Sequence, residues 1–513
     1  MREYTALIWL LMTPFLGAAL TYLIGRSVAR RVGDSSTVNP ARWVALLSQL
    51  ATGVFLYFSA QALWVSGRPF GVTIARLAND VNGILLRFDG ISLLLASVVL
   101  VLTFLVTLYS VTYMQGEVGE EKYYALLMAM TGMMIGLGCT HDLFNLWVWF
   151  EGMAISSYML VAFYHQSASL EAGIKYLVQS AVGSVFVLLG IALIFLEAGS
   201  LNLSAIHMAL GSASASPVVW VAGALLLIGF GVKTALVPLH TWLPDAHSQA
   251  PSGISAMLSG VVIEAGLVAM LRSLAVLPGM AETWGYLLLG FGALNMLVGN
   301  LMALRQTQVK RLLAYSSLAH MGYMLIGFGA AFGFGSQAGA AGGFFHLMTH
   351  MLMKGLAFLG VGAFLYTLYV AKGKHGPLMI EDLSGAARRY PLAAFAVSVA
   401  VLGLGGLPPL AGFMSKWQIF VAGFATQSPW VIGLVVFAAL NSVLSLGYYA
   451  PLVNRMYRQQ PSALVLQGEK LSVWLALPLV LMTVLVVVLG FWPTLAAGWY
   501  ETAADSLMRL LSY

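Results

Sequence analysis

Charge is what this sequence has least of. Asp, Glu, Lys and Arg together make up 9% of 513 residues, against about 25% in an ordinary soluble chain. The single cysteine, Cys139, excludes an intramolecular disulfide and any cysteine-based metal cluster. Glycine-rich phosphate loops, dinucleotide fingerprints, haem-attachment motifs and nucleophile triads are all missing. No cofactor and no catalytic centre is therefore expected in this chain. Long polar intervals are missing too, the longest being about twenty residues, which leaves no room for a soluble domain.

What is present is apolar length. Hydrophobic residues make up 60% of the chain, and runs of eighteen or more recur along it, each long enough to cross a hydrocarbon core of about 30 Å. This predicts an all-α polytopic membrane protein with about fourteen transmembrane helices, from 4–24 to 471–495. The first run has no small-residue cleavage site and reads as a span, not a signal peptide. Residues from Glu501 to Tyr513 read as a short surface helix. Sixteen of the 25 Lys and Arg residues fall in loops after odd-numbered spans and six on the opposite side. The positive-inside rule then places both termini on the non-cytoplasmic face. Arg68, Arg76 and Arg87 run against it, in an interval expected to fold on the outer surface. The net charge of +6 follows from this loop asymmetry, and the scattered basic residues argue against nucleic acid as a partner.

Five ionisable residues fall inside spans: Glu151, Lys233, Glu264, Lys354 and Lys416. Each costs about 2.5–3.5 kcal/mol at the bilayer centre on insertion scales, so such groups face cavities or one another and mark ion paths. Glu151 lies in LWVWFEGM, among Trp147, Trp149 and Phe150; the plainer reading is a structural ion pair. Lys233 precedes Pro238 and Pro244, and proline breaks a helix and frees a carbonyl. The plainer reading there is a lysine snorkelling to the interface. Between Lys233 and Glu264, His240, Asp245 and His247 read as capping and loop groups in a polar hairpin. Asp89 reads as a helix cap.

A second break, VLGLGGLPPLAGFMSKWQIF, places Lys416 after Pro409, whereas Lys233 comes before Pro238. Such a reversal is what two inverted five-helix repeats with discontinuous helices would produce. The expected organisation is an N-terminal three-helix segment (1–122), repeats at 123–276 and 277–455, and a C-terminal helix and tail (456–513). Between the breaks, His346, His350 and Lys354 recur every fourth residue and so share one helix face. They form a ladder of proton-accepting and proton-donating groups that His320 extends. Two histidines one turn apart can also bind zinc, but the lysine next in the row and the lack of a nearby carboxylate or cysteine argue against metal.

The motif KTALVPLHTWLPDAHSQAPS, with LWVWFEGM, VKRLLAYSSLAHMGYM and GLPPLAGFMSK in this order, resembles a known family. It is that of the antiporter-like membrane subunits shared by respiratory complex I (L-, M- and N-type), Mrp-type cation/proton antiporters and membrane-bound hydrogenases. The resemblance runs from about residue 85 to residue 455. It implies fourteen helices with inverted repeats, and partners in the form of other membrane subunits. By motif, Glu151 matches an essential fifth-helix glutamate and Lys233 the broken-helix lysine that pairs with it. Lys175 matches a basic position that modulates this pair. Lys354 and the histidines match the central hydrophilic axis, and Lys416 the residue ending the path. One position departs from the pattern: Glu264 stands where many members carry lysine, offering Lys233 a second partner and a reason to consider Na⁺.

The expected function is translocation of protons, with Na⁺/H⁺ exchange considered, within a multi-subunit complex of a bacterial or archaeal cytoplasmic membrane. The parent complex is left open among complex I, Mrp and hydrogenase types. Lys416 disfavours the M-type branch, and the roughly twenty residues after the last span are too few for the lateral helix of the L-type. The rival is a stand-alone ion-coupled transporter of a small solute, which would use the same broken helices as a binding site.

Overall fold

The computed structural model describes residues 3–33, 39–74, 83–211, 216–277 and 279–512. Arg2 and Arg76, two of the six basic residues sorted to the opposite side, lie outside them. Two long helices open the chain, α1 (Glu3–Val32) and α2 (Ala41–Ser66). A hairpin then pairs β1 (Phe70–Ile74) antiparallel with β2 (Ile84–Phe88), Phe70 opposite Phe88 and Ile74 opposite Ile84. This corrects the all-α expectation. Short alternating runs of β-branched and aromatic residues around an Asn-Gly dipeptide carry a strand signal that a search for eighteen-residue spans passes over.

The rest is helical. In order come α3 (Gly90–Tyr113), α4 (Glu120–Cys139), α5 (Leu143–Val161), α6 (Ser167–Ala198), α7 (Leu203–Leu210), α8 (Pro217–Lys233), α9 (Trp242–Gln249) and α10 (Ser252–Met257). A π-helical turn, Leu258–Val262, joins α10 to α11 (Ile263–Ala275). Then follow α12 (Ala281–Ala303), α13 (Val309–Phe334), α14 (Gln337–Leu368), α15 (Pro391–Gly405), α16 (Ala411–Ala425), α17 (Pro429–Arg458), α18 (Ala463–Leu466), α19 (Val473–Phe491) and α20 (Ala497–Leu511). Asp89 caps α3 as its sequence suggests, its Oδ1 accepting the Ser92 amide at 2.9 Å. Among the described residues, ten helices are long and apolar enough to cross a membrane. The chain is a helical, polytopic membrane protein. The remaining predicted spans correspond to α4, α5, α8 and the α15–α16 pair, which are too short or too polar to qualify on those terms.

Helices α10 to α11, α13 and α14 are almost wholly buried, while α1, α2, α6, α17 and α19 each turn one side outward. The outer sides are apolar (Leu47, Ile174, Trp430 and Val443 are exposed), as lipid or membrane-protein neighbours require. Helices α12 and α13 approach closely through glycine. A Cβ added at Gly322 would stand 2.5 Å from the Gly292 carbonyl oxygen, the small-residue packing common between membrane helices. Helix α20, at the position of the short surface helix expected from the sequence, docks one face on the bundle and leaves Glu501 and Arg509 exposed. It starts earlier, buries Tyr500, Ala503, Ala504 and Leu507, and its Ser506 Oγ accepts the Gly90 amide at the start of α3 at 3.0 Å.

Candidate functional site

Two helices stop in mid-course, and the backbone groups they free are satisfied by side chains. Helix α8 ends at Lys233, because the residue before Pro238 disfavours helical dihedrals and proline offers no amide. Asn295 on α12 fills both gaps, its Oδ1 accepting the Val237 amide at 2.8 Å and its Nδ2 donating to Ala235 O at 3.2 Å. The indole of Trp242 donates to Val232 O at 2.8 Å. The second break follows the same logic. Helix α15 ends before Gly406, whose φ of +81° favours glycine. The Leu404 carbonyl, left without a helical partner at the helix end, accepts from Lys416 Nζ at 2.7 Å and the Gly405 carbonyl from Ser442 Oγ at 3.0 Å. Lys416 also donates to Ser442 Oγ at 2.8 Å. A cation at a helix C-terminus is favoured by the dipole, and this lysine does so at a broken end.

Between the breaks lies a buried polar row. Glu264, two residues after the π turn and fully buried, accepts from His350 Nδ1 at 2.7 Å. The His350 ring is 5.3 Å from that of His320. His320 Nδ1 and His346 Nε2 share a hydrogen at 3.0 Å. His346 Nδ1 is 2.9 Å from Ser415 Oγ, which also accepts from Thr349 Oγ1 at 2.9 Å. Ser415 adjoins Lys416, whose ammonium lies 4.3 Å from the centre of the Tyr323 ring. Lys354 donates to Leu313 O at 2.8 Å and to Ser316 Oγ. All of these groups are buried. Among the described residues Glu264 Oε2 and His350 Nε2 have no protein partner, which is where water would complete such a row.

The structure departs from the sequence reading in four places here. A carboxylate does adjoin the histidines, because Glu264 and His350 meet across 86 positions of sequence. Glu264 is thereby engaged by His350, and no ion pair joins it to Lys233 among the described residues. His240 lies in the loop between α8 and α9, with a hydrogen bond to the Pro238 backbone, but Asp245 sits in α9 and pairs with Arg311 at 2.5 Å and Lys175 at 3.3 Å. His247 is buried, stacks on Phe358 with centroids 4.6 Å apart, and has no hydrogen bond at either nitrogen among the described residues.

Among the described residues no ion pair joins Glu151 to Lys233, and each has neutral partners. Glu151 Oε2 accepts from Ser184 Oγ at 2.7 Å, and Ser184 accepts from the Trp147 indole at 2.7 Å. Lys233 Nζ donates to Ser157 Oγ at 3.2 Å and to the Tyr176 hydroxyl. Tyr176 lies flat on Trp242, centroids 3.9 Å apart and planes 3° apart. Lys175, one residue earlier, points elsewhere, to Glu171 at 2.8 Å and to Asp245. Tyr176, Ser157, Ser184, Asn295 and Ser415 were not picked out from sequence. Hydroxyl and amide residues are common in such helices, and only the fold shows which ones meet a charge.

Residues 140–442 match the family described as NADH:quinone oxidoreductase/Mrp antiporter, transmembrane. Residues 82–124 match one described as the N-terminus of NADH-ubiquinone oxidoreductase (complex I) chain 5. The first match alone takes in Glu151, Lys233, the histidines and Lys416. The chain belongs to this antiporter-like family. It is 34% identical to F(420)H(2) dehydrogenase subunit N of Methanosarcina mazei, over 83% of this chain and 85% of that one. It is also 34% identical to NADH-quinone oxidoreductase subunit N of Desulfitobacterium hafniense, over 98% of this chain and 99% of the relative. Among solved structures, a chain of the membrane-bound sulfane sulfur reductase, an archaeal respiratory membrane complex, superposes with a TM-score of 0.87 at 29% identity. That superposition covers 99% of this chain and 98% of that one.

Proposed function

We propose that this chain is the proton-translocating, antiporter-like subunit of a multi-subunit membrane complex. Protons move between Glu151 and Lys416 by way of Lys233, Glu264, His350, His320, His346 and Lys354. The observation that carries this reading is the buried row from Glu264 through three histidines to Ser415, which ends beside the lysine of the second broken helix. Imidazoles take up and release protons near neutral pH and pass them through either nitrogen. When His346 receives a proton at Nε2 from His320, it can release one from Nδ1 towards Ser415. Water completes the gap between the His350 and His320 rings.

Glu151 and Lys233 supply the switch. Each has a neutral seat, Ser184 for the carboxylate and Tyr176 with Ser157 for the lysine. A charge change in a neighbouring subunit biases whether they stay there or meet, and linkage makes the bias reciprocal. The relatives and structural neighbours are subunits of respiratory membrane complexes, which favours a subunit over a stand-alone solute transporter. Glu264 is held by an imidazole, a proton donor, which fits proton handling better than coordination of Na⁺.

The wider architecture belongs to the same proposal. Fourteen spans, counting α4, α5, α8 and the α15–α16 pair, form two inverted five-helix repeats at 123–276 and 277–455. The segment 1–122 precedes them, and 456–513 closes the chain. The supporting feature is that Lys233 ends the helix before its break whereas Lys416 follows its own. The basic loops face the cytoplasm of a bacterial or archaeal cell, with both termini outside. Replacing Glu151 with Gln or Lys233 with Ala tests the mechanism in the assembled complex in vesicles. Both variants are expected to assemble and to stop acidification, and full transport by either overturns it.

A further inference from the structure

On the face that carries most of the basic residues, a cavity of 290 Å³ lies between the starts of α15 and α19. It is lined by Arg389, Tyr390, Pro391, Leu392, Lys470 and Leu471. Its frame is fixed by hydrogen bonds. Arg389 Nη2 donates to Gly468 O at 2.6 Å, and the Tyr390 hydroxyl donates to Glu469 O at 2.8 Å. Arg389 and Lys470 are exposed, and among the described residues neither forms an ion pair with a carboxylate. Helix α15 starts here with Pro391 at its first position, and no side chain caps its amides. Free amides at a helix N-terminus favour an anion.

The remaining walls are apolar. Pro391, Leu392 and Leu471 continue into α15 and α19, and α19 is long and apolar enough to cross the membrane. A cationic, aromatic-edged cavity with apolar walls where helices leave the bilayer matches an amphiphile with an anionic head and acyl tails. We propose that this cavity seats the phosphate-bearing headgroup of an anionic membrane phospholipid. The two basic side chains hold the phosphate, and the acyl chains run down along the apolar walls. The proposal is independent of proton transport and concerns which membrane the subunit is built for.

The test uses the assembled complex in nanodiscs of phosphatidylcholine with a minority of phosphatidylglycerol, and native mass spectrometry counts the anionic lipid retained on this chain. A basic residue near a membrane surface is worth about fivefold in attraction for anionic lipid, so Arg389→Gln with Lys470→Gln is expected to weaken retention about thirtyfold. Lys374→Gln with Arg458→Gln removes the same charge from exposed positions on that face and is expected to leave retention intact. Arg389→Lys with Lys470→Arg should restore it. Inorganic phosphate added in detergent should not displace the lipid. Equal retention by the Gln pair, equal loss in both charge-neutralised pairs, or displacement of the lipid by inorganic phosphate would overturn the proposal.

Discussion

Removing one oxygen atom tests whether the resting seat of Lys233 matters. In Tyr176→Phe the ring stays on Trp242, where the centroids are 3.9 Å apart, and keeps its face towards the Lys233 ammonium, now 4.5 Å from its centre. What is lost is the hydroxyl that accepts from Lys233. Hydrogen bonds to charged groups contribute about 1.5–3 kcal/mol, and Ser157, at 3.2 Å, is the longer-range partner left behind. The balance between the neutral seat and Glu151 should then shift about ten- to a hundredfold towards Glu151. The assembled complex carrying the variant, reconstituted in vesicles with a pH-sensitive dye, is expected to acidify them that much more slowly. Its subunit composition should be unchanged, because the packing is kept. In a Glu151→Gln background the same change should add little, since both act on one pair. Wild-type acidification by Tyr176→Phe would refute the two-seat switch.

Two further outcomes concern the frame around the site. Asn295→Ala leaves the Val237 amide and the Ala235 carbonyl buried without their partner; at about 1–3 kcal/mol for each orphaned group, the purified complex should melt at a distinctly lower temperature. An unchanged Tm would mean that Asn295 does not stand in for the missing helical hydrogen bonds. Arg272→Ala strands the buried Asp89 carboxylate, now 2.7 Å from Arg272 Nη2. Breaking such a pair costs about 3–5 kcal/mol. The yield of assembled complex should fall, and Arg272→Ala with Asp89→Ala should recover part of it at normal transport per complex. If the double variant assembles no better than the single one, the pair is not what holds α11 to the start of α3.

How much of this was legible in the sequence depended on the range of the forces involved. Helix positions were readable because apolar length and local caps set them: Asp89 caps α3 through its third neighbour, and the lysine–proline spacing marks both breaks. The hairpin at 70–88 was missed although its signal is local, because hydrophobic length dominated the reading. The charge partners were not readable. Glu264 took its identity in sequence from Lys233, thirty-one residues away, yet its partner is His350 on α14. The π turn before Glu264 changes the phase of the helix by a residue, so the face on which a side chain lies no longer follows from 3.6-residue spacing. Glu264 thus joins the histidine row through His350, a contact between α11 and α14 that only the folded chain brings about.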